Sequence, residues 1–457
     1  MAKGQLMAAQ IEKSTDPRWA WAIYEPGADR PWNLVRAGHL YRRAAFGASW
    51  DQLQKALCDG PQQTIDKLLR PQGDTAGFDQ THDEYEEATG SVDQLRAWWL
   101  RRMIQTPHPL QEKMTLFWHG YFAANAEKVK SARLMQQHIR LLRSEALGSF
   151  GALLEGISRD PAMLLWLGAE ANRKARPNDN LARALLETIS LGAENCTESD
   201  IREASRAFTG WFLLRNRLRY IAREHDDGVK QILGQQGRFT SEDVLRIILD
   251  QPETPRRIVR KLYRWLISET RQPSQVLLRP LAESFATDYD VSKLVETMLR
   301  SNLFFSASAY RGRIKCPVEF ALGIIKALEA MVSATQLAGD LADLGQNLCR
   351  PPTVNGWAGG KHWVDSAAIA GRDNLAWAML RGSDPYGNKL NPFAVARKHG
   401  HTTLESAARF MLDLFVQSDI GPGIYETLTQ AAQDGELDER IRRVAYAIVT
   451  LPEFHLA

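Results

Sequence analysis

The chain has 457 residues, 44% hydrophobic and 24% charged, with 57 Lys+Arg against 54 Asp+Glu. At roughly 100–200 residues per domain this length allows two to four domains, and the apolar fraction suffices for a large core, which excludes a disordered or collagen-like chain. A net charge of +3 is nearly neutral at this size, so no global field recruits nucleic acid or an anionic membrane, and any basic site must be local.

The N-terminus, MAKGQLMAAQIEKSTDPRWAW, has no apolar stretch of roughly 7–15 residues after a basic start, and nowhere do about 18 apolar residues run without a charge. No secretion signal or membrane span is expected, and the simplest location is the cytoplasm. Residues 1–31 read as an N-terminal extension and 32–457 as a single helical domain. Ser91-Val-Asp-Gln94 reads as a capping box opening a helix, and Thr240-Ser-Glu-Asp243 opens another. In TPRRIVRKLYRWLISE the residues Ile258, Leu262, Trp265 and Leu266 form an apolar face with the arginines opposite, and Ile441, Val444, Ala445 and Ile448 repeat this near the C-terminus. Longer helices are expected near 130–158, 177–192 and 241–270, with soft linkers at 71–91 and 270–276. One stretch, RLRYIAREHDDGVKQILGQQGRF, alternates around Asp227-Gly228 and predicts a β-hairpin near 218–239. The expected fold class is therefore all-α: a large irregular multi-helical domain with a small β-hairpin insertion. Cys58, Cys196, Cys316 and Cys349 lie far apart without a CxxC, which argues for free thiols.

The helix EKMTLFWHGYFAANAEK is apolar nearly all round, yet it carries Glu112 and His119, seven apart and so on one face. Burying both requires partners or a wet cavity; a core histidine with a structural Glu is one reading, and a general acid/base pair is the other. In PNDNLARALLETISLG, Asn178 is placed to cap a helix, while Asn180, Arg183 and Glu187 share a polar face that reads as a solvated stripe or as a ligand-binding one. The insertion adds His225, Asp226 and Lys230, where turn chemistry competes with a catalytic or metal-binding role. The string NGWAGG, with Trp357, lacks a phosphate-loop pattern, and no nucleophile elbow or zinc-protease motif is present.

Seven blocks, GHLYRRAAFGAS, PLQEKMTLFWHGYF, DPAMLLWLGAEANRKARPNDNLARALLETISLG, CTESDIREASRAFTGW, REHDDGVKQILGQQG, IKCPVEF and GQNLCRPPTVNGWAGGKHWV, stand in the order and spacing of the DUF1800 family, which this chain resembles over about residues 32–457. Family members usually read PNENFAREL where this chain has PNDNLARAL; Asp179 keeps one carboxylate and Ala184 replaces a second. The resemblance implies a bacterial protein with a sulfatase-like companion as partner, and it supplies no reaction and no cofactor. Two functions follow as expectations. One is an enzyme, a hydrolase, lyase or transferase on a polar polymer such as a polysaccharide, with His119, Glu112, Glu187 and Asp226 catalytic and Asn178, Asn180, Arg183, His225, Lys230 and Trp357 binding substrate. The other is a non-catalytic binding or scaffold partner of the sulfatase-like protein. Convergence of these residues on one concave site favours the first, and dispersal into separate pairs favours the second.

Overall fold

A computed structural model describes residues 16–71, 75–87, 90–430, 432 and 434–457, with side chains at 83–87 excepted. Residues 1–15 of the expected extension lie outside the described residues, as do 72–74 and 88–89 of the expected linker. The chain is 60% helical, against about one third for an average globular protein. Both capping boxes form: Ser91 and Gln94 exchange side-chain and backbone bonds at the start of helix Val92–Gln105, and Thr240 and Asp243 do so at Ser241–Leu249. Helix Glu253–Leu266 buries Ile258, Leu262 and Leu266 completely, with its cations off that face and Trp265, expected on it, only half-buried beside them.

Several expected segments differ locally. The 241–270 segment is two helices, Ser241–Leu249 and Glu253–Leu266, because Pro252 has no N–H to continue the first. The 130–158 segment breaks into Ala132–Ser144 and Phe150–Ser158, the second capped by Ser149. In place of a linker at 71–91 there is a helix, Thr75–Glu87; Trp98 Nε1 donates to the His82 carbonyl at 2.9 Å and ties it to the neighbouring helix. The PNDN motif opens a short helix, Asn180–Arg183, that continues as a π-helix over Ala184–Ser190, a rare geometry often associated with function.

The β-insertion is two hairpins. Strand β1 (Trp211–Leu214) pairs antiparallel with β2 (Arg217–Tyr220), and β3 (Lys230–Ile232) with β4 (Gln235–Gly237). Their turns are Arg215-Asn216 and Leu233-Gly234, with φ of 51°, 61°, 47° and 81°, as hairpin turns that match strand twist require. Asp227-Gly228 lies between the hairpins. There Asp226 Oδ1 accepts from the Gly228 N–H at 2.8 Å, so the dipeptide serves a side-chain-closed turn.

The buried side chains form two apolar clusters. One gathers around Trp99, Phe320, Met411 and Ile448, the other around Trp118, Phe122, Phe150 and Leu262. Trp32, Tyr41, Trp166 and Trp265 pack against both. Among the described residues no helix is long and apolar enough to cross a membrane.

Candidate functional site

Helix Pro109–Tyr121 runs between the two clusters, with Leu116 in one and Leu110, Met114, Phe117 and Trp118 in the other. Glu112 and His119 do share a face, and both meet Trp99: its indole N–H donates to Glu112 Oε2 at 2.9 Å, and its ring stands edge-on to His119 at 5.1 Å. Both are fully buried. Glu112 Oε1 accepts from Arg102 at 2.6 Å and Arg143 at 2.7 Å. Burial alone would raise the Glu112 pKa, but Arg143 and Arg102 hold it below the usual carboxylate value. His119 Nε2 accepts the backbone N–H of Cys349 at 3.0 Å. Burial, with a smaller push from His138, lowers its pKa to about 3, so the ring is neutral.

The PNDN segment is held by its own amides. Asn178 Nδ2 donates to the Gly168 carbonyl and Asn180 Nδ2 to that of Leu167, each at 2.8 Å, while Asn178 Oδ1 accepts from the Asn180 N–H at 3.0 Å. Arg183 faces outward and binds both oxygens of Glu198 at 2.8 Å, with Asp179 at 3.0 Å and Glu187 at 3.2 Å. In the insertion, Arg206 clamps Asp226 at 2.8 and 3.2 Å and brings its carboxyl down to about 2. Lys230, buried, donates to the carbonyls of Asp226 and Gly228, and His225 Nδ1 bonds the Thr209 carbonyl at 2.9 Å. These residues therefore occupy three separate polar networks.

A cavity of about 370 Å³ opens where helix Pro109–Tyr121 ends. Its wall includes Arg257, Lys261, Arg264 and Trp265, which share one face of helix Glu253–Leu266. Arg313, Glu269 and Cys316 close one side; Trp357 and Trp363, on the loop that ends in the 3₁₀ turn Gly360–Trp363, close another. This loop seats against the helix end because Gly356 (φ 72°) has no side chain: a Cβ there would stand 2.1 Å from the Gly120 carbonyl oxygen. Trp357 Nε1 donates to the Gly345 carbonyl at 3.1 Å, and its ring lies 5.6 Å from that of His119, so His119 and Cys349 support the loop from beneath.

The cavity is cationic. Among the described residues no carboxylate pairs with Arg257, Lys261 or Arg264; Arg257 donates to the Thr188 carbonyl at 2.7 Å, and Lys261 lies 5.9 Å from the Tyr121 ring centre. Burial, then Arg257 and Arg264, lower the Lys261 pKa. Arg313 stacks 4.3 Å over Trp265 and pairs with buried Glu319. Glu269, the carboxylate in the wall, accepts the Ile314 N–H at 2.5 Å. Burial, then Glu319, push the Cys316 thiol up to about 12, so it is no nucleophile. Cations interleaved with indole faces suit an anionic ligand with ring-shaped units.

Of the residues expected from sequence, Trp357 lines this cavity and His119 lies directly under it; the others lie elsewhere. The signal for the wall was the unpaired i, i+4, i+7 spacing of Arg257, Lys261 and Arg264. For metal, the described residues bring together one trio, exposed Asp51 and Glu329 with half-buried His399, and Lys398 already bridges Asp51 and Glu329 at 3.2 and 2.7 Å.

No curated protein and no solved structure matches the chain. The sequence model of DUF1800, described as a protein of unknown function, matches residues 39–456, and the chain belongs to that family.

Proposed function

We propose that the protein binds an acidic polymer of the carboxylated or sulfated polysaccharide class in the cavity beside Trp265 and Trp357. The observation that supports this reading is three cations, Arg257, Lys261 and Arg264, that lack carboxylate partners among the described residues yet share a wall with three indoles. Guanidinium groups recognise carboxylate or sulfate through paired hydrogen bonds, and indole faces stack on sugar rings. The ion-paired states of Glu112, Arg183 and Asp226 favour binding over catalysis by those groups. If the polymer is also cleaved, Glu269 is the carboxylate in the wall placed to move a proton. A sulfated polymer would also connect this chain with the sulfatase-like companion that the family resemblance implies. In the cytoplasm, the location expected from the sequence, the ligand would be an imported fragment, so cell fractionation selects between fragment and whole polymer.

The test is a calorimetric titration with an oligogalacturonate, a sulfated oligosaccharide, a neutral cello-oligosaccharide and a single-stranded oligonucleotide of matched length. An acidic saccharide should bind, the neutral one should not, and the double variant Lys261→Ala/Arg264→Ala should weaken binding at least about tenfold, the effect of losing about 1.4 kcal/mol. Equal binding of neutral and acidic sugars, or preference for the oligonucleotide, would overturn the proposal.

A further inference from the structure

Behind Arg313 and Glu319 lies a second, smaller cavity of about 30 Å³, lined by Arg42, Lys315, Glu319, Gln417, Gly323 and Phe454. Its surroundings hold an excess of buried positive charge. Arg42, Arg43, Lys113, Arg313, Lys315 and Arg372 are each at least nine-tenths buried, and the one carboxylate buried with them, Glu319, is already shared by Lys113 and Arg313. Arg43 and Arg372 find backbone carbonyls, at 2.8 and 2.6 Å. Arg43 still keeps Nε and Nη1, and Arg313 and Arg372 keep Nε, without a hydrogen-bond partner among the described residues, but the two cations that line the cavity are Arg42 and Lys315. Arg42 gives Nη1 to Gln417 Oε1 and stands 5.7 Å from the Tyr310 ring centre, but its Nε and Nη2 are buried without a hydrogen-bond partner among the described residues. Among the described residues Lys315 has no acceptor for its ammonium, which stands 3.7 Å over the Phe454 ring and 3.7 Å from where a Cβ on Gly323 would be.

Unpaired buried charge is costly, and a cationic cavity with room for more than one water is the arrangement that a counter-ion relieves. We propose that this cavity binds one compact inorganic anion between the Lys315 ammonium and the unpartnered nitrogens of Arg42. A bound anion would tie together helix Leu34–Ala44, helix Pro317–Ala327 and the C-terminal turn Pro452–His455, which carry or flank these side chains. Burial and the neighbouring Arg42 push the Lys315 pKa well down, the response expected of a lysine short of counter-charge. This site is independent of the polymer reading, since the two cavities are separated by the Arg313–Glu319 pair.

Thermal melts at fixed ionic strength test it, with sodium gluconate replaced stepwise by chloride, bromide or sulfate. The wild type should show a saturating rise in melting temperature with one class of anion, and Lys315→Met should abolish it. Halide without sulfate response identifies a monatomic anion, and the reverse an oxyanion. Because Lys315→Met could fail to fold, crystals of the wild type soaked in sodium bromide and sodium selenate give a second measurement, in which anomalous density should lie between Lys315 Nζ and Arg42. Identical anion responses in wild type and variant, or a cavity without anomalous density in both soaks, would overturn the proposal.

Discussion

His119 accepts the backbone N–H of Cys349 through Nε2 at 3.0 Å, joining the end of a buried helix to the loop that carries Trp357. Only a neutral imidazole can accept there, and the proton it keeps is on Nδ1, which is buried without a hydrogen-bond partner among the described residues. Proton uptake by His119 thus works against the fold.

The sign of the resulting pH dependence follows. The folded pKa of His119 is about 3, while an unfolded histidine titrates near 6.5. Across that window the unfolded chain binds a proton that the folded chain refuses, so the contribution is full above about pH 6.5 and is lost as pH falls toward 3. His455, lowered to about 4 by burial, Arg372 and Lys315, acts in the same direction. Denaturant titrations between pH 7 and 4 should show His119→Gln losing less stability on acidification than wild type, by up to about 1.4 kcal/mol per pH unit for one proton. Parallel curves would refute the neutral assignment.

Glu112 predicts a stability effect. Replacing it with Gln leaves Arg102 and Arg143 in a buried site without the carboxylate that both bind. Breaking a buried pair from one side costs roughly 3–5 kcal/mol, and Asp79 on Arg102 favours the lower figure. Chemical denaturation should therefore show Glu112→Gln down by about 3 kcal/mol, with the affinity of whatever still folds for an acidic oligosaccharide retained. Normal stability with lost binding would instead make Glu112 part of the site.

How far the sequence alone carries is clear from these two residues. Their spacing of seven put both on one helix face, and both do meet Trp99. Their partners were not legible, because Arg143 is 31 residues from Glu112 and Cys349 is 230 from His119; such distances are set by tertiary packing, which no local periodicity reports. The helices followed from apolar spacing and capping boxes, whereas the split at Pro252 and the π-helix over Ala184–Ser190 followed from backbone hydrogen bonding. The arginines of helix Glu253–Leu266 were legible as lying opposite its apolar face, but not that Trp265 joins Arg257, Lys261 and Arg264 in one cavity wall. That the NGWAGG loop folds over it depends on the approach of Gly356 to Gly120, which one sequence cannot reveal.

The four cysteines are free. Cys58 is exposed, whereas Cys316 and Cys349 are buried, with burial pushing each thiol up to about 12. A thiol reagent at pH 8 should therefore modify Cys58 rapidly, modify Cys196 more slowly, and reach the other two only on unfolding, when the total without reductant should be four. Fast reaction of Cys349 in the native protein would mean that the loop carrying Trp357 opens readily.

Arg183 gives the sharpest contrast with a buried network. Its side chain is 35% exposed and meets three carboxylates, Asp179, Glu187 and Glu198, all themselves in contact with solvent. Exposed ion pairs are worth at most about 1 kcal/mol each, because water screens them and two mobile side chains must be ordered. Arg183→Ala also leaves those carboxylates repelling one another across open solvent, a cost that salt reduces. The expected result is a loss of no more than about 3 kcal/mol at low salt, about 1 kcal/mol for each of the three pairs, shrinking toward zero in 0.5 M salt, with binding of an acidic oligosaccharide unchanged because the guanidinium is committed outside the cavity. A salt-insensitive loss of several kcal/mol would mean that this network is buried in solution. Near-normal stability with lost binding would extend the ligand's path from the cavity, past Thr188, onto the polar face of the PNDN helix.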